Sequence, residues 1–306
     1  MRRRRLGSDG PEISVIGFGA WEAGGGVWGP NPPDDRVIEA IHAGLDAGID
    51  WIDTAEVYGS GESERIVGLA IAGRRDDVRI ATKVGPSPEG TGHRPDQVAA
   101  ACDVSLGRLG IERIDLYQLH WPDETGVPLE DTWGAMVALL DAGKVGAIGV
   151  SNFDRAMIET CEAIRHVDSL QQELSMLHLE DRDLIRWCGE HGTGVVSYSP
   201  LAVGMLTGRF DRAGAEAVED WRREDEDSPF TDANLARSLA VVEGLRPITG
   251  RLGCTVAQLA LAWNVQQPGV TAAIAGSRSA ANTRDNATAG DIVLDDATLA
   301  ELDALL

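Results

Sequence analysis

Cysteine is scarce in this chain. Four are spread over 306 residues, Cys102, Cys161, Cys188 and Cys254, and no two form a Cys-x-x-Cys pair. That spacing excludes a zinc ribbon, argues against a disulfide framework and suits reduced thiols in a cytoplasm; no metal site is expected. Long hydrophobic runs are missing too, and none approaches the ~18 apolar residues that cross a bilayer. The basic start Met1-Arg2-Arg3-Arg4-Arg5 has no apolar stretch behind it. Neither a signal peptide nor a twin-arginine leader is therefore read there. Positive charge is the third shortage: 27 Lys and Arg stand against 49 Asp and Glu, a net of −22. Such a surface repels phosphate backbones and anionic lipid heads, so neither nucleic acid nor membrane is an expected partner. A small anion can still be held where a few cations are placed. The expectation is a soluble, cytoplasmic protein acting on a small molecule, and nothing in the sequence sets its oligomeric state.

What the chain does have is alternation. Short apolar runs at Val15–Gly19, Trp51–Asp53, Arg79–Lys83, Ile114–Leu119, Val145–Val150, Ser169–Glu173, Gly194–Ser199 and Thr271–Ala275 read as strands. Amphipathic stretches near 34–47, 63–72, 95–109, 128–142, 154–166, 181–191 and 232–267, with two more after the last strand, read as helices. Strand then helix, repeated eight times, implies parallel pairing through right-handed crossovers, and hence an α/β protein folded as a (β/α)8 TIM barrel. No linker or composition shift divides residues 1–306, so one domain is expected. Residues 6–19, with the turn signal Asp9-Gly10, are expected to form a hairpin capping the barrel's bottom. Residues 201–231 form a long Gly-rich and charged connection, either a lid or a solvated excursion.

Gly24-Gly25-Gly26-Val27-Trp28-Gly29 satisfies the dinucleotide pattern G-x-G-x-x-G, but Pro30, Pro32 and Pro33 follow at once. The pattern works only where the glycines open a helix, which these prolines forbid, so the segment is read as a surface loop. In a TIM barrel the chemistry sits where strands end at the C-terminal face. The strand ends here are Asp53 with Tyr58 just beyond, Lys83, His120, Ser151-Asn152, Gln171-Gln172-Glu173 and Tyr198-Ser199. Each alone also fits a plain role, as a helix cap, a solvated end or a core histidine. Four ionisable groups on one rim are costly to bury together without a purpose. A phenol with a pKa near ~10 is a poor proton donor or acceptor at neutral pH, and a nearby ammonium is expected to lower that value. A carboxylate beside the ammonium keeps it charged, and a neutral His can hydrogen-bond a substrate oxygen. The set suits reversible proton transfer to a carbonyl oxygen, with the hydride coming from a cofactor.

The chain resembles an aldo-keto reductase over essentially its whole length. The segments that carry the likeness are Gly48-Ile49-Asp50-Trp51-Ile52-Asp53-Thr54-Ala55 with Tyr58-Gly59 and Glu64 to Gly68, Thr82-Lys83, Leu119-His120-Trp121-Pro122, Gly143 to Phe153, Tyr198-Ser199-Pro200-Leu201, and Gly276-Ser277-Arg278 with Asn286. The resemblance implies a nicotinamide cofactor, NADP with NAD as the lesser option, extended across the barrel mouth. It also implies the catalytic set Asp53, Tyr58, Lys83 and His120.

Carried over by position, Ser151, Asn152 and Gln172 would hold the nicotinamide carboxamide and Tyr198 would stack on its ring. Gly19, Ala20 and Trp21 would lie against cofactor and substrate. Ser199, Pro200, Leu201, Gly204 and Arg209 would fold over the pyrophosphate, and Gly276, Ser277, Arg278, Asn282, Asp285 and Asn286 would hold the adenosine end. Helix N-terminal amides and a guanidinium fork at Arg278 suit a phosphate there. The family commonly has Pro where Ala275 stands, and some branches have Lys at Gly276. Trp21, Tyr58, His120 and Trp121 would line the substrate pocket, with Trp28 a further wall. The implied reaction is NADPH-dependent reduction of aldehydes or ketones to alcohols, with Tyr58 as proton donor. The alternatives are a sugar or alcohol dehydrogenase running oxidatively with NAD(P), and a non-catalytic NADP-binding regulatory subunit.

Overall fold

In the computed structural model, residues 1–85 and 92–306 are described. The chain opens with two antiparallel strands, β1 (Arg3–Arg5) and β2 (Glu12–Ser14). Eight parallel strands follow: β3 (Ile16–Gly19), β4 (Trp51–Asp53), β5 (Arg79–Val84), β6 (Leu116–Leu119), β7 (Ile148–Ser151), β8 (Ser169–Glu173), β9 (Gly194–Tyr198) and β10 (Val270–Gly276). They pair in chain order, and β10 closes on β3 with Gly276 opposite Gly19. The crossovers carry α1 (Asp34–Asp46), α2 (Glu62–Ile71), α3 (Pro95–Leu109), α4 (Leu129–Asp141), α5 (Arg155–Glu162), α6 (Arg182–Glu190), a short α7 (Arg212–Glu216), α8 (Leu235–Leu252) and α9 (Val256–Asn264). After the barrel come α10 (Ala280–Thr288) and α11 (Asp296–Asp303). The eightfold (β/α) barrel expected from the alternation is therefore present.

The N-terminal hairpin exists, with shifted bounds. It spans residues 3–14 rather than 6–19, because the arginine run is itself its first strand. Those arginines are used: Arg3 pairs with Asp50 at 2.6 Å. Arg4 donates to the carbonyl oxygens of Val265 and Val270, while Arg2 reaches Gly290 O at 2.7 Å and Ile292 O at 2.8 Å. Leu6 and Ile13 of the hairpin pack with inward-facing Trp51, Ala81, Leu116, Ala147, Val196 and Ala272, forming the floor of the barrel. A larger core lies between the barrel's outer face and the helices.

The helical stretch 232–267 divides in two. Gly253, at φ +67°, ends α8. Thr255 then starts α9 through a capping box with Gln258. That signal, Gly then Thr-x-x-Gln, was in the sequence. Residues 201–231 are a folded cover. Phe230 is fully buried, and Arg222 donates through Nε and Nη2 to Asp220 at 2.9 and 2.8 Å while its guanidinium lies over the Phe230 ring at 4.9 Å. No helix among the described residues is long and apolar enough to cross a membrane.

Candidate active site

Strand alternation decides what points into the barrel. On the C-terminal rim of β4 and β5, Asp53 and Lys83 both face inward and are almost wholly buried. The ammonium has three protons and spends all of them: on Asp53 Oδ1 at 2.5 Å, on Thr54 O at 2.9 Å and on Tyr58 Oη at 3.3 Å. Because Tyr58 Oη accepts from Lys83, its own proton is left to donate outward. Asp53 is steadied from the other side by Gln171 Nε2, 2.8 Å from Oδ2.

Tyr58 reaches this point through a tight turn after β4. Gly59 has φ +60°, and a Cβ there would lie 2.2 Å from Gly24 O. The Gly-rich loop that mimics a nucleotide motif is thus the surface on which the Tyr58 turn rests. Behind the rim, Thr54 Oγ1 meets Ser63 Oγ at 2.7 Å, and fully buried Glu64 accepts from Thr82 Oγ1 at 2.7 Å. These contacts lock α2 to β4 and β5.

The charges behave as their surroundings dictate. Burial alone would pull the Lys83 ammonium down, but Asp53 and then Tyr58 outweigh it, and the net shift is upward. Burial pushes the Tyr58 phenol above its ordinary value against the opposing pull of Lys83. The expected lowering by the ammonium is therefore corrected: desolvation wins, and the phenol keeps its proton. His120 is held well below its ordinary value of 6.5 by burial, with Lys83 adding to the effect. Its imidazole is neutral, stacked on Trp121 at 3.6 Å and edge-on to Tyr58 at 5.6 Å.

This neutrality has a measurable consequence. The unfolded chain takes a proton on this His near pH 6.5 and the folded one does not, so its stabilising share is full above that pH and is lost as the pH falls below it. Acid should then cost up to about 1.4 kcal/mol per pH unit through this one proton. His120→Asn is expected to reduce the slope of unfolding free energy against pH by that share, between about pH 6 and pH 5. Equal slopes in chemical denaturation would mean that the folded protein protonates His120.

An elongated cavity of about 790 Å³ runs from this group across the barrel mouth to the start of α10. Ser151, Asn152, Tyr198, Ser199, Pro200, Leu201, Gly204 and Arg209 line its middle, and Gly276, Ser277, Arg278, Asn282, Asp285 and Asn286 its far end, with Gly19, Trp21 and Trp121 also on the wall. Asn152 is fixed at both ends, donating to His120 O at 3.0 Å and accepting from Tyr198 Oη at 2.8 Å.

Two expected residues lie elsewhere. Gln172 faces out of the barrel, donates to Asp181 at 2.9 Å and lines a separate outer cleft with Phe153 and Trp187. Alternation along β8 puts Gln171 inside instead. Ala20 sits behind the wall, its N–H on Asp53 O and its carbonyl oxygen on Ser63 Oγ. Sequence reasoning also missed Trp221, Arg222 and Glu22, all on the cavity. Trp21, Trp28 and Trp221 meet pairwise at 5.2–5.4 Å and form one aromatic wall. A Trp inside the charged run 219–227 was the available signal.

The profile of the Aldo/keto reductase family matches residues 15–306. This chain belongs to that family. The aldo-keto reductase YhdN of Bacillus subtilis (strain 168) is 35% identical over 287 residues, spanning 91% of this chain and 85% of that protein. Among solved structures, the glycerol dehydrogenase AKR11B4 from Gluconobacter oxydans superposes with a TM-score of 0.85 at 30% identity, over 99% of this chain and 94% of that one. The aldo/keto reductase from Klebsiella pneumoniae in complex with NADP and acetate gives 0.75 at 31%, over 100% and 95%. As a member of the aldo/keto reductase family, the protein is an oxidoreductase.

Proposed function

We propose that this aldo/keto reductase reduces aldehyde or ketone carbonyls to alcohols with NADPH, Tyr58 donating the proton. The observation that carries the reading is Lys83 Nζ held on both Asp53 and Tyr58 at the inner end of a long cavity whose other end is Gly276 to Arg278.

The residues present fit a dinucleotide. Asn152, Ser199, Ala202 and Val203 hold positive φ of 46–62°, and such strain in residues other than glycine gathers at ligand clamps. Gly19 and Gly276 pair across the barrel seam, where a Cβ on Gly19 would lie 3.3 Å from Gly276 N and 2.8 Å from Ile274 Cγ2, so the missing side chain leaves backbone exposed to a flat or anionic group. Asn152, Ser151 and Gln171 would hold the carboxamide, Tyr198 would stack on the ring, and residues 199–204 would lie over the pyrophosphate. The bound cofactor would supply the hydride. Tyr58, kept protonated by burial, gives its proton to the substrate oxygen as charge develops there, and the Lys83 ammonium stabilises the phenolate left behind. Neutral His120 orients that oxygen without competing as an acid. Trp21, Trp28, Trp121 and Trp221 give the substrate an apolar wall at the mouth.

Oxidation of an alcohol is the second reading, favoured by the likeness to a glycerol dehydrogenase; the upward shift of Tyr58 favours the donor role instead.

The test combines turnover with cofactor choice. One NADPH should disappear per alcohol formed, and Arg278→Ala should weaken NADPH by ~10- to 150-fold while leaving NADH nearly unchanged, as loss of a charge-assisted phosphate contact requires. Equal losses for both cofactors would move Arg278 off the 2′-phosphate, and no consumption with any carbonyl substrate would overturn the reductase.

A further inference from the structure

Glu22 follows Trp21 just after β3, and its carboxylate reaches the phosphate end of the cavity. Its Oε2 lies 3.5 Å from Arg278 Nε, both side chains being about 70% covered, at 28% and 31% exposure. Its Oε1 sits 3.5 Å from where a Cβ on Gly276 would be. Arg278 is held from two further sides, by Trp28 O at 3.4 Å from Nη1 and by Arg36 Nε, 2.9 Å from its own carbonyl oxygen. A carboxylate is an odd neighbour for a turn that suits phosphate, since two anions at one guanidinium repel.

We infer that Glu22 competes with the cofactor's phosphate for Arg278 and so sets how tightly, and how selectively, the dinucleotide is held. This rests on the NADPH reading above. Burial lifts the Glu22 carboxyl above its ordinary value, and Arg278 and then Arg222 oppose that shift without reversing it; Arg278, 3.5 Å away, is the cation that favours the charged form. Phosphate binding must divide Arg278 between two anions, whereas a cofactor lacking the 2′-phosphate has less need of the arginine.

The test is titration of NADPH and NADH into the wild type, Glu22→Gln, Glu22→Asp, Arg278→Ala and the Glu22→Gln/Arg278→Ala pair. Removing the charge should tighten NADPH by about 1.4- to fivefold, the range of a part-exposed ion pair, and NADH by less. Aspartate, which keeps the charge, should return NADPH towards the wild-type value. On the Arg278→Ala background the Gln substitution should change little. Equal weakening of both cofactors would overturn the inference by making Glu22 a ribose ligand. A tightening that persists undiminished without Arg278, or Asp behaving like Gln, would also overturn it. If the wild type binds neither cofactor, the NADPH reading falls and takes this one with it; if it binds both and ignores Glu22, only this one falls.

Discussion

Tyr58→Phe is expected to lower kcat for carbonyl reduction by ~10²–10⁴-fold, the usual cost of losing general acid catalysis, while the dissociation constant for NADPH stays close to the wild-type value. The geometry makes this a clean deletion. The ring keeps its contacts with Trp21 at 6.2 Å and His120 at 5.6 Å, and only the oxygen that accepts from Lys83 is removed. Steady-state kinetics with one aldehyde, paired with a fluorescence titration of NADPH, separates the two quantities. A Phe variant that keeps more than about a tenth of kcat would remove Tyr58 from the donor role.

Lys83→Met should cost both activity and stability. Lys83 is fully buried and Asp53 nearly so, so deleting the ammonium leaves a carboxylate whose remaining side-chain donor is Gln171. Breaking such a pair from one side costs about 3–5 kcal/mol, read as a lowered denaturation midpoint. Replacing both partners, in Asp53→Leu/Lys83→Met, should recover much of that loss because no unpaired charge remains. Activity should not return, since nothing is left to stabilise the Tyr58 phenolate. A single Met variant as stable as the wild type would mean that Asp53 takes up a proton to compensate. The raised Lys83 value fixes the pH window: its stabilising share is complete below about 10.5 and is lost as the pH climbs through the higher folded value. Measurements near neutrality therefore sample the whole effect.

Much of the machinery was legible from strand ends. Asp53, Lys83, His120, Ser151 and Tyr198 could be placed on one rim because parallel strands in a barrel all end on the same face. The two neighbouring glutamines could not be told apart so easily. Gln171 and Gln172 differ by one position, and a shift of one residue turns a side chain from the inside of a strand to the outside. Only the register of β8 against β7 and β9 assigns Gln171 to Asp53. The sign of the Tyr58 shift was hidden for another reason. Proximity of an ammonium can be read from a motif, but the depth of burial that opposes it is a property of the whole fold.

By itself, the sequence determined the alternation that makes a (β/α)8 barrel, the rim residues that bring a phenol, an ammonium and a carboxylate together, and that Gly24 to Gly29 do not open the helix that follows. These follow from local periodicity and local sterics, which are written in neighbouring residues. Tertiary structure alone decided that the arginine run is the first strand of the N-terminal hairpin, that residues 201–231 carry Trp221 and Arg222 back over the mouth, and that Glu22 meets Arg278 across 256 positions of chain. Such contacts join segments that share no pattern. Their energies come from burial and charge summed over a closed barrel, where each group's surroundings are supplied by strands and loops distant in sequence.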